Sequence, residues 1–509
     1  MAEAGNNKRI IKNTAFLYVR MFTVMCVNLY TSRIILAALG VVDYGLYGIV
    51  GGVVTMFTML NSSLGSSSSR FITAELGRGD LDGLKKVFSS SLMIHSIMAL
   101  IILILCEGIG VWFLNTQMVI PAERLTAANW VFQLSVVTAM FSITQIPYNA
   151  AIIAHENMNV YAIVGLFDAF AKLGIAFLIV HNPIDRLIWY AFMLMTIQLI
   201  VMAFYRFYCV RHYAEAHFSI QKDKNTYKSM LSYSVFDFIG CMSVMAQGQA
   251  LNLVLNVFCG PVVNAARAVA YQVQGATSQF AGNFMTAVTP QIIKMYQQGH
   301  VDEMLQLVRR SSIFSVVLLY MIFLPLCLEI NYVLGLWLGD YPAYTASFTV
   351  LVLINTLIDS FRRPRINCFH ATGNIKRSNI ITGGILCLAL PIGYLLMYCG
   401  YSPNSVFIGI IATSCIADIT NMNILKRYIP FNVIEFVCRV HLRCIAHIVI
   451  TAILPMSIYY LMDEGFIRLT MVTIASIISS ILSASMVAFE PDDRKKIFSM
   501  IKKRIPWKK

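Results

Sequence analysis

Long apolar stretches alternate with short polar ones along this chain, and the apolar stretches set its architecture. Fourteen can be delimited, at 13–39, 45–68, 87–113, 125–152, 158–180, 187–209, 229–257, 263–288, 311–336, 345–371, 379–399, 404–424, 443–462 and 467–489. Each is about 20 residues or longer, enough for a helix to cross a hydrocarbon core of ~30 Å. In lipid, only a helix or a closed barrel satisfies its own backbone groups, and these runs are about twice as long as a barrel strand. The pattern predicts an all-α polytopic membrane protein with about 14 transmembrane helices.

Composition supports that reading. Of 509 residues, 58% are hydrophobic and 13% charged, against about 25% charged in soluble proteins; mean hydropathy is +0.69. Soluble enzymes and nucleic-acid binders are excluded, because the net charge of +14 is spread over the links between apolar runs rather than clustered on one face. If the N-terminus is cytoplasmic, 28 of the 39 Lys and Arg fall in inside segments, against Arg124, Arg186 and Arg468 outside. The positive-inside rule then predicts both termini in the cytoplasm. MAEAGNNKRIIKNT leads into an apolar run with no small-residue cleavage site, so the first span is expected to be retained. The 12 cysteines are scattered without a CxxC pair, which predicts neither a disulfide framework nor a metal site.

An internal duplication shows in the links. Gly40 and Gly79 recur as Gly260 and Gly299, and Asp82 as Asp302, at an offset of 220. Pro147, Ala154 and Asn157 recur as Pro364, Ala371 and Asn374, at an offset of 217. A six-span repeat keeps its orientation, which implies two six-helix lobes related by a pseudo-two-fold along the membrane normal, a plan known in transporters. The expected division is an N-terminal lobe at 1–210, a cytoplasmic linker at 211–228 and a C-terminal lobe at 229–424. Two extra helices follow at 425–489, then a basic cytoplasmic tail at 490–509 that suits anionic headgroups.

Ionisable residues inside spans are costly and usually face a partner or a wet cavity. The basic ones are Arg20, Arg33, Lys172, Arg206, Arg267, Arg362, Arg363 and Arg365; the acidic ones are Glu107, Asp168, Asp237, Glu329, Asp359 and Asp418. Asp168 with Lys172, and Asp359 with Arg363, are four apart and can neutralise each other. Glu107, Arg206 and Glu329 sit near span ends and can snorkel. Arg20 has no acidic neighbour three or four residues away. Arg267, Tyr271, Gln274 and Ser278 fall within ~40° of one helical line, and Gln249, Asn252 and Asn256 form a second polar stripe. These stripes and Arg20 are expected to line one cavity; Arg33, ~140° away from Arg20, joins it only if the span bends. Unpaired arginines favour an anion, and the planar guanidinium suits phosphate. Asp237 is either an ion relay or an internal partner for a cavity arginine. His155-Glu156 lacks the second histidine of a metalloprotease motif and reads as surface.

The segment KNTAFLYVRMFTVMCVNLYTSRIILAALGVVDYGLYGIVGG resembles the N-terminus of Wzx-type oligosaccharide flippases of the multidrug/oligosaccharidyl-lipid/polysaccharide exporter superfamily. ELGRGD, PYNAAIIAHENM and GPVVNAARAVAYQVQGATSQFAGNFMTAVTPQIIKMYQQG resemble it too. The resemblance implies a V-shaped fourteen-helix transporter, not an enzyme, that flips undecaprenyl-diphosphate-linked oligosaccharide units across the bacterial inner membrane for surface polysaccharide of O-antigen or capsule type. Arg20, Arg33 and Arg267 would grip the diphosphate, with Tyr271, Gln274 and Asn252 lining the path and Asp237 as an ion relay. No cofactor is implied, though H+ or Na+ coupling is open. Expected partners are the lipid-linked substrate, membrane lipids and other polysaccharide-assembly membrane proteins. A lipid II-type flippase makes the same demands. A cation-coupled drug antiporter needs lobe carboxylates that the first span lacks, and short outer loops argue against a membrane polysaccharide polymerase.

Overall fold

A chain that must saturate its own peptide groups in lipid folds into rods, and the computed structural model shows fourteen of them over the described residues, 2–58, 60–116, 120–179, 185–219 and 223–489. The basic tail at 490–509 lies outside this range. The first element, Ala2–Thr58, is two helices meeting at Gly40: α1 (2–39) and α2, which runs through 41–58 and Leu60–Arg78. Next come α3 (Leu81–Leu105, carried on by a π turn and a short helix to Thr116), α4 (Leu125–Ala154), α5 (Met158–Leu178) and α6 (Arg186–His212). Lys224–Gln297 is again two helices, α7 (224–259) and α8 (261–297), meeting at Gly260. The rest are α9 (Val301–Leu328, carried on after Glu329 by Ile330–Leu338), α10 (Thr345–Thr372), α11 (Ile375–Cys387 with Ala389–Tyr398) and α12 (Asn404–Leu425). α13 spans 433–461 and α14 spans 466–488, each including a π turn.

All fourteen expected spans are helical, but their ends move. α2 continues ten residues beyond 68 and α9 starts ten before 311. Apolarity stops at the hydrocarbon edge, whereas the helix stops where a cap or a glycine turns the chain. The α2–α3 turn has Gly79 at φ 74 and the Asp80 carboxylate accepting from the Gly83 N–H at 2.9 Å. At the start of α7, the Thr226 hydroxyl and the Asn225 N–H donate to Asp223 and hold its carboxyl below the ordinary value. Among the described residues ten helices are long and apolar enough to cross a membrane. α7, α8 and α10 are not among them, because serines, amides and arginines interrupt them, and α2 includes position 59, which lies outside the described residues. Those are the rods that carry most of the candidate chemistry.

The duplication is written in the backbone. Gly40 (φ 77, ψ 168) and Gly260 (φ 79, ψ −176) break their rods in nearly the same way. Gly79 and Gly299 share φ of 74 and 80. Asn157 (φ −84, ψ 58) and Asn374 (φ −92, ψ 54) open α5 and α11 alike. Each follows a residue with positive φ, Glu156 in the first copy and Gly373 in the second.

The chain divides into two compact units, Met1–Phe238 and Ile239–Lys509. In the first, α4 is the hub, packed by α2, α3 and α6, with α5 laid along α1. Its core includes Ile72, Phe88, Tyr148 and Tyr205. In the second, α10 lies between α9 and α12, α11 packs on α12, and the α13–α14 pair rests on α9. Phe348 and Phe407 meet there with centroids 4.5 Å apart.

Two corrections concern charges read as peripheral. Glu329 does not snorkel: it is 1% exposed and receives a two-pronged bond from Arg468, at 2.8 and 2.9 Å, which ties α14 to the end of α9. His155-Glu156 is not a surface pair either. Glu156 is buried, and the His155 ring lies flat on Tyr213 with its Nε2 2.6 Å from Glu215.

Nothing lies within 4 Å of a Cβ built on Gly40 or Gly260, so their positive φ alone penalises a side chain. Gly40→Ala and Gly260→Ala should each lower stability by about 1–2 kcal/mol, read as the thermal midpoint in detergent. Gly282→Ala, in equally open space on α8 with ordinary φ, should instead raise stability by up to about 1 kcal/mol.

Candidate functional site

Within unit 1, α1 and α5 approach so closely that only one of them can carry a side chain at the contact. Tyr161 and Gly165 are one turn apart on α5 and share a face. The Arg20 guanidinium of α1 lies over the Tyr161 ring, 4.3 Å from its centroid. A Cβ on Gly165 would stand 2.1 Å from Arg20 Nε, so the glycine makes the space that the guanidinium fills. Nε is buried without a hydrogen-bond partner. The nearby carboxylate of Asp168 is taken by Lys172 at 2.7 Å, as its spacing predicts. Arg20 enters no ion pair among the described residues, so its charge is met by an aromatic face, which contributes about 0.5–2 kcal/mol.

Unit 2 solves the same problem differently. Arg267, on α8, is 9% exposed. It lies over the ring of Tyr271, one turn on, 4.3 Å from the centroid, and donates to the Gly248 carbonyl of α7 at 2.6 Å. Its Nε is buried without a hydrogen-bond partner, and no carboxylate pairs with it among the described residues. Gln274 continues the stripe and donates to the Thr356 hydroxyl of α10 at 3.1 Å. Asn252 is half-buried on α7 and Asn256 is exposed; the Gln249 side chain lies outside the described residues. The helical line through Arg267, Tyr271 and Gln274 is therefore a real face, held at two points to neighbouring rods.

Arg33 stands apart. α1 is unbroken between residues 20 and 33, so Arg33 keeps its different heading; it is exposed and shares none of the Arg20 contacts. Asp237 is buried on the first part of α7, which packs within unit 1. Its carboxylate accepts from the Ser66 hydroxyl of α2, and no cation pairs with it among the described residues. Seven residues earlier on α7, the Met230 carbonyl accepts from the Ser67 hydroxyl at 3.1 Å.

Several other intramembrane charges are paired. Asp359 takes Arg362 at 2.7 Å, three residues on, rather than Arg363 at four, which is exposed. Arg365, with no exposure at all, pairs with Asp418 across from α10 to α12. Sequence reasoning missed Tyr161 and Gly165, although a tyrosine and a glycine four apart on one helix face make a slot for a long side chain. It also missed the Arg365–Asp418 pairing, because 53 residues separate the partners.

No protein-family model and no curated protein matches this chain. Solved structures do. A crystal structure of a MATE point mutant aligns with TM-score 0.71 and 14% identity, over 82% of this chain and 95% of that one. An outward-facing multidrug resistance MATE family transporter of the MOP superfamily gives 0.68 and 14%, over the same shares. A MOP superfamily transporter from Pyrococcus furiosus Vc1, described as having a binding pocket of reverse polarity that suggests a different function, gives 0.69 and 15%, again over 82% and 95%. At such identities the likeness establishes the fold: this chain has the helical transporter fold of MATE proteins.

The Arg20–Gly165 contact can be tested by a double-mutant cycle. Gly165→Ala should destabilise the protein by about 1–3 kcal/mol through overpacking. Adding Arg20→Ala should remove the clash, so that the pair costs at least about 1 kcal/mol less than the sum of the single changes. Additive effects on thermal unfolding in detergent would mean that the two groups do not meet.

Proposed function

We propose that this chain is a bacterial inner-membrane flippase that moves undecaprenyl-diphosphate-linked oligosaccharide units toward the outer leaflet for surface polysaccharide assembly. The observation that carries the reading is the pair of arginines, one in each unit, buried or half-buried among helices and without a carboxylate partner among the described residues. Arg20 on Tyr161 and Arg267 on Tyr271 each have an aromatic face behind the guanidinium and a buried, unpartnered Nε. A cation held inside a helical bundle is expensive. A bundle that keeps two without internal neutralisation suits a ligand that brings negative charge, and a diphosphate accepts well from planar guanidinium groups. Cationic drugs would meet repulsion at both positions.

In this reading the diphosphate meets arginine while the polyprenyl tail remains in lipid. Alternating access, the motion that such two-unit transporter folds support, carries the headgroup across. Tyr271, Gln274 and Asn252 present polar groups to the saccharide. Asp237, buried against a serine hydroxyl, is the candidate for H+ or Na+ coupling, and both termini face the cytoplasm. Other polysaccharide-assembly membrane proteins are the expected partners. A lipid II-type substrate carries the same diphosphate, so identifying which lipid-linked saccharide accumulates on the inner leaflet after depletion separates the two.

The test is translocation of labelled lipid-linked oligosaccharide in proteoliposomes, with and without imposed Na+ and pH gradients. Arg20→Ala and Arg267→Ala should each slow translocation by about 10–100-fold, the worth of a hydrogen bond to a charged group, with partial recovery on Arg→Lys. Wild-type rates in both alanine variants, with the protein correctly inserted, would refute the reading. So would transport of cationic dyes in place of the lipid.

A further inference from the structure

A second polar centre lies in unit 2, away from the Arg267 stripe, where α13 meets α10 and α12. α13 begins with one turn, Val433–Phe436, and then widens into a π turn over Val437–His441. π turns inside regular helices are rare and occur frequently at functional sites. Here His441 is laid flat on Phe361 of α10, with centroids 5.0 Å apart and planes 9° from parallel. Its Nε2 stands 3.6 Å from Asp418 Oδ2. The other oxygen of Asp418 is taken by Arg365, whose guanidinium also lies over Phe436 at 5.1 Å.

This centre is under-satisfied. Both ring nitrogens of His441 are buried without a hydrogen bond, and so are Nε and Nη1 of the fully buried Arg365. The surrounding carboxylates are all taken: Asp418 by Arg365, Asp359 by Arg362 on α10, and Glu435 by both Arg309 of α9 and Arg439 of α13, the last two at 3.3 Å each. Arg443, two residues beyond the π turn, adds a positive charge on α13. With His441 neutral these charges already sum to a net positive, and protonation adds one more positive charge, placed beside the Asp418 carboxylate. At 3.6 Å the imidazole is too far from Asp418 for a hydrogen bond, and a move of about 0.7 Å would make one. Neutral, the ring is held by stacking alone; protonated, it is drawn to the carboxylate.

We propose that Asp418 and His441 form a proton-binding site whose occupancy fastens α13 to α10 and α12. The ligand is a proton rather than a metal ion: both Asp418 oxygens face nitrogen groups, and among the described residues no three His, Cys, Asp or Glu side chains could share a metal. The consequence is mechanical. The α13–α14 pair, which lies outside the duplicated twelve helices, docks more tightly in acid than in base.

Cys438 is exposed within the same π turn and reports on that docking. A spin label goes on Cys438 in the full-length chain, with all other cysteines replaced by alanine, in lipid nanodiscs. Between about pH 8 and about pH 5, the range in which histidines ordinarily change charge, the immobile-to-mobile ratio of the spectrum should rise about tenfold. His441→Phe keeps the stacking on Phe361 and should give a flat, mobile profile; His441→Gln and Asp418→Asn should flatten it too. A spectrum unchanged with pH in the chain that retains His441 overturns the proposal, whatever the variants do, and so does a pH response that survives in His441→Phe. The readout is independent of substrate and of the flippase reading.

Discussion

A hydrocarbon core offers a peptide group no partner, and this chain obeys that constraint at nearly every turn. Its rods break only where a backbone group can be satisfied otherwise or is spared. Gly40 and Gly260 each break a rod at a single residue, with positive φ. Hydroxyls inside the rods bend back onto carbonyls of their own helix, as Ser68 does to Leu64 at 2.9 Å and Thr382 to Ser378 at 2.6 Å. That habit lets α2 carry so many serines without unravelling. It also leaves second valences free for contacts between rods, such as the Ser68–Ser91 bond at 2.6 Å that joins α2 to α3.

Charge is where the constraint bites hardest, and the charged side chains sort into two groups. Arg365 with Asp418 and Arg468 with Glu329 neutralise each other, and each pair staples distant stretches of chain. Breaking such a pair by removing one partner leaves a charge stranded in low dielectric, which costs about 3–5 kcal/mol. Those pairs explain themselves as structure. Arg20 and Arg267 do not, because a tyrosine face returns only part of what a carboxylate would. The difference between the two groups is the physical basis for assigning a ligand to one and not to the other.

The rods were legible in the sequence because apolar length is a local property. The turns were legible because Gly40, Gly79, Asn157 and their later counterparts repeat in order. Ends were less so: helical geometry in α2, α8 and α9 runs past the apolar stretch into residues whose capping depends on a few side chains. Arg20 and Arg267 stood out because neither has an acidic neighbour along its own helix. What surrounds them was not legible, since Tyr161 and Gly248 lie 141 and 19 residues away in sequence. The mistaken pairing of Asp359 with Arg363 shows the limit of spacing arguments. Positions three and four residues on are both within reach, and packing, not periodicity, turned Arg363 outward.

The duplication also bears on how the cation sites arose. At an offset of 220, Arg20 corresponds to Gly240, Arg267 to Tyr47 and Asp237 to Leu17. The turns were preserved in both copies while the chemistry was not. The α1–α5 contact in unit 1 is Arg20 filling a space left by Gly165. The matching α7–α11 contact in unit 2 is reversed, with Gly240 making room for Asn379, whose side chain would lie 2.9 Å from a Cβ at that position. Large against small is kept, but the large residue has changed helices and lost its charge. Close helix approach is thus what the shared architecture demands. The Arg20 guanidinium has no counterpart at Gly240 in the second copy, and that of Arg267 has none at Tyr47 in the first. Two cations at non-equivalent places in a repeated frame are hard to ascribe to the shared architecture, because each copy folds without a cation at the other's position.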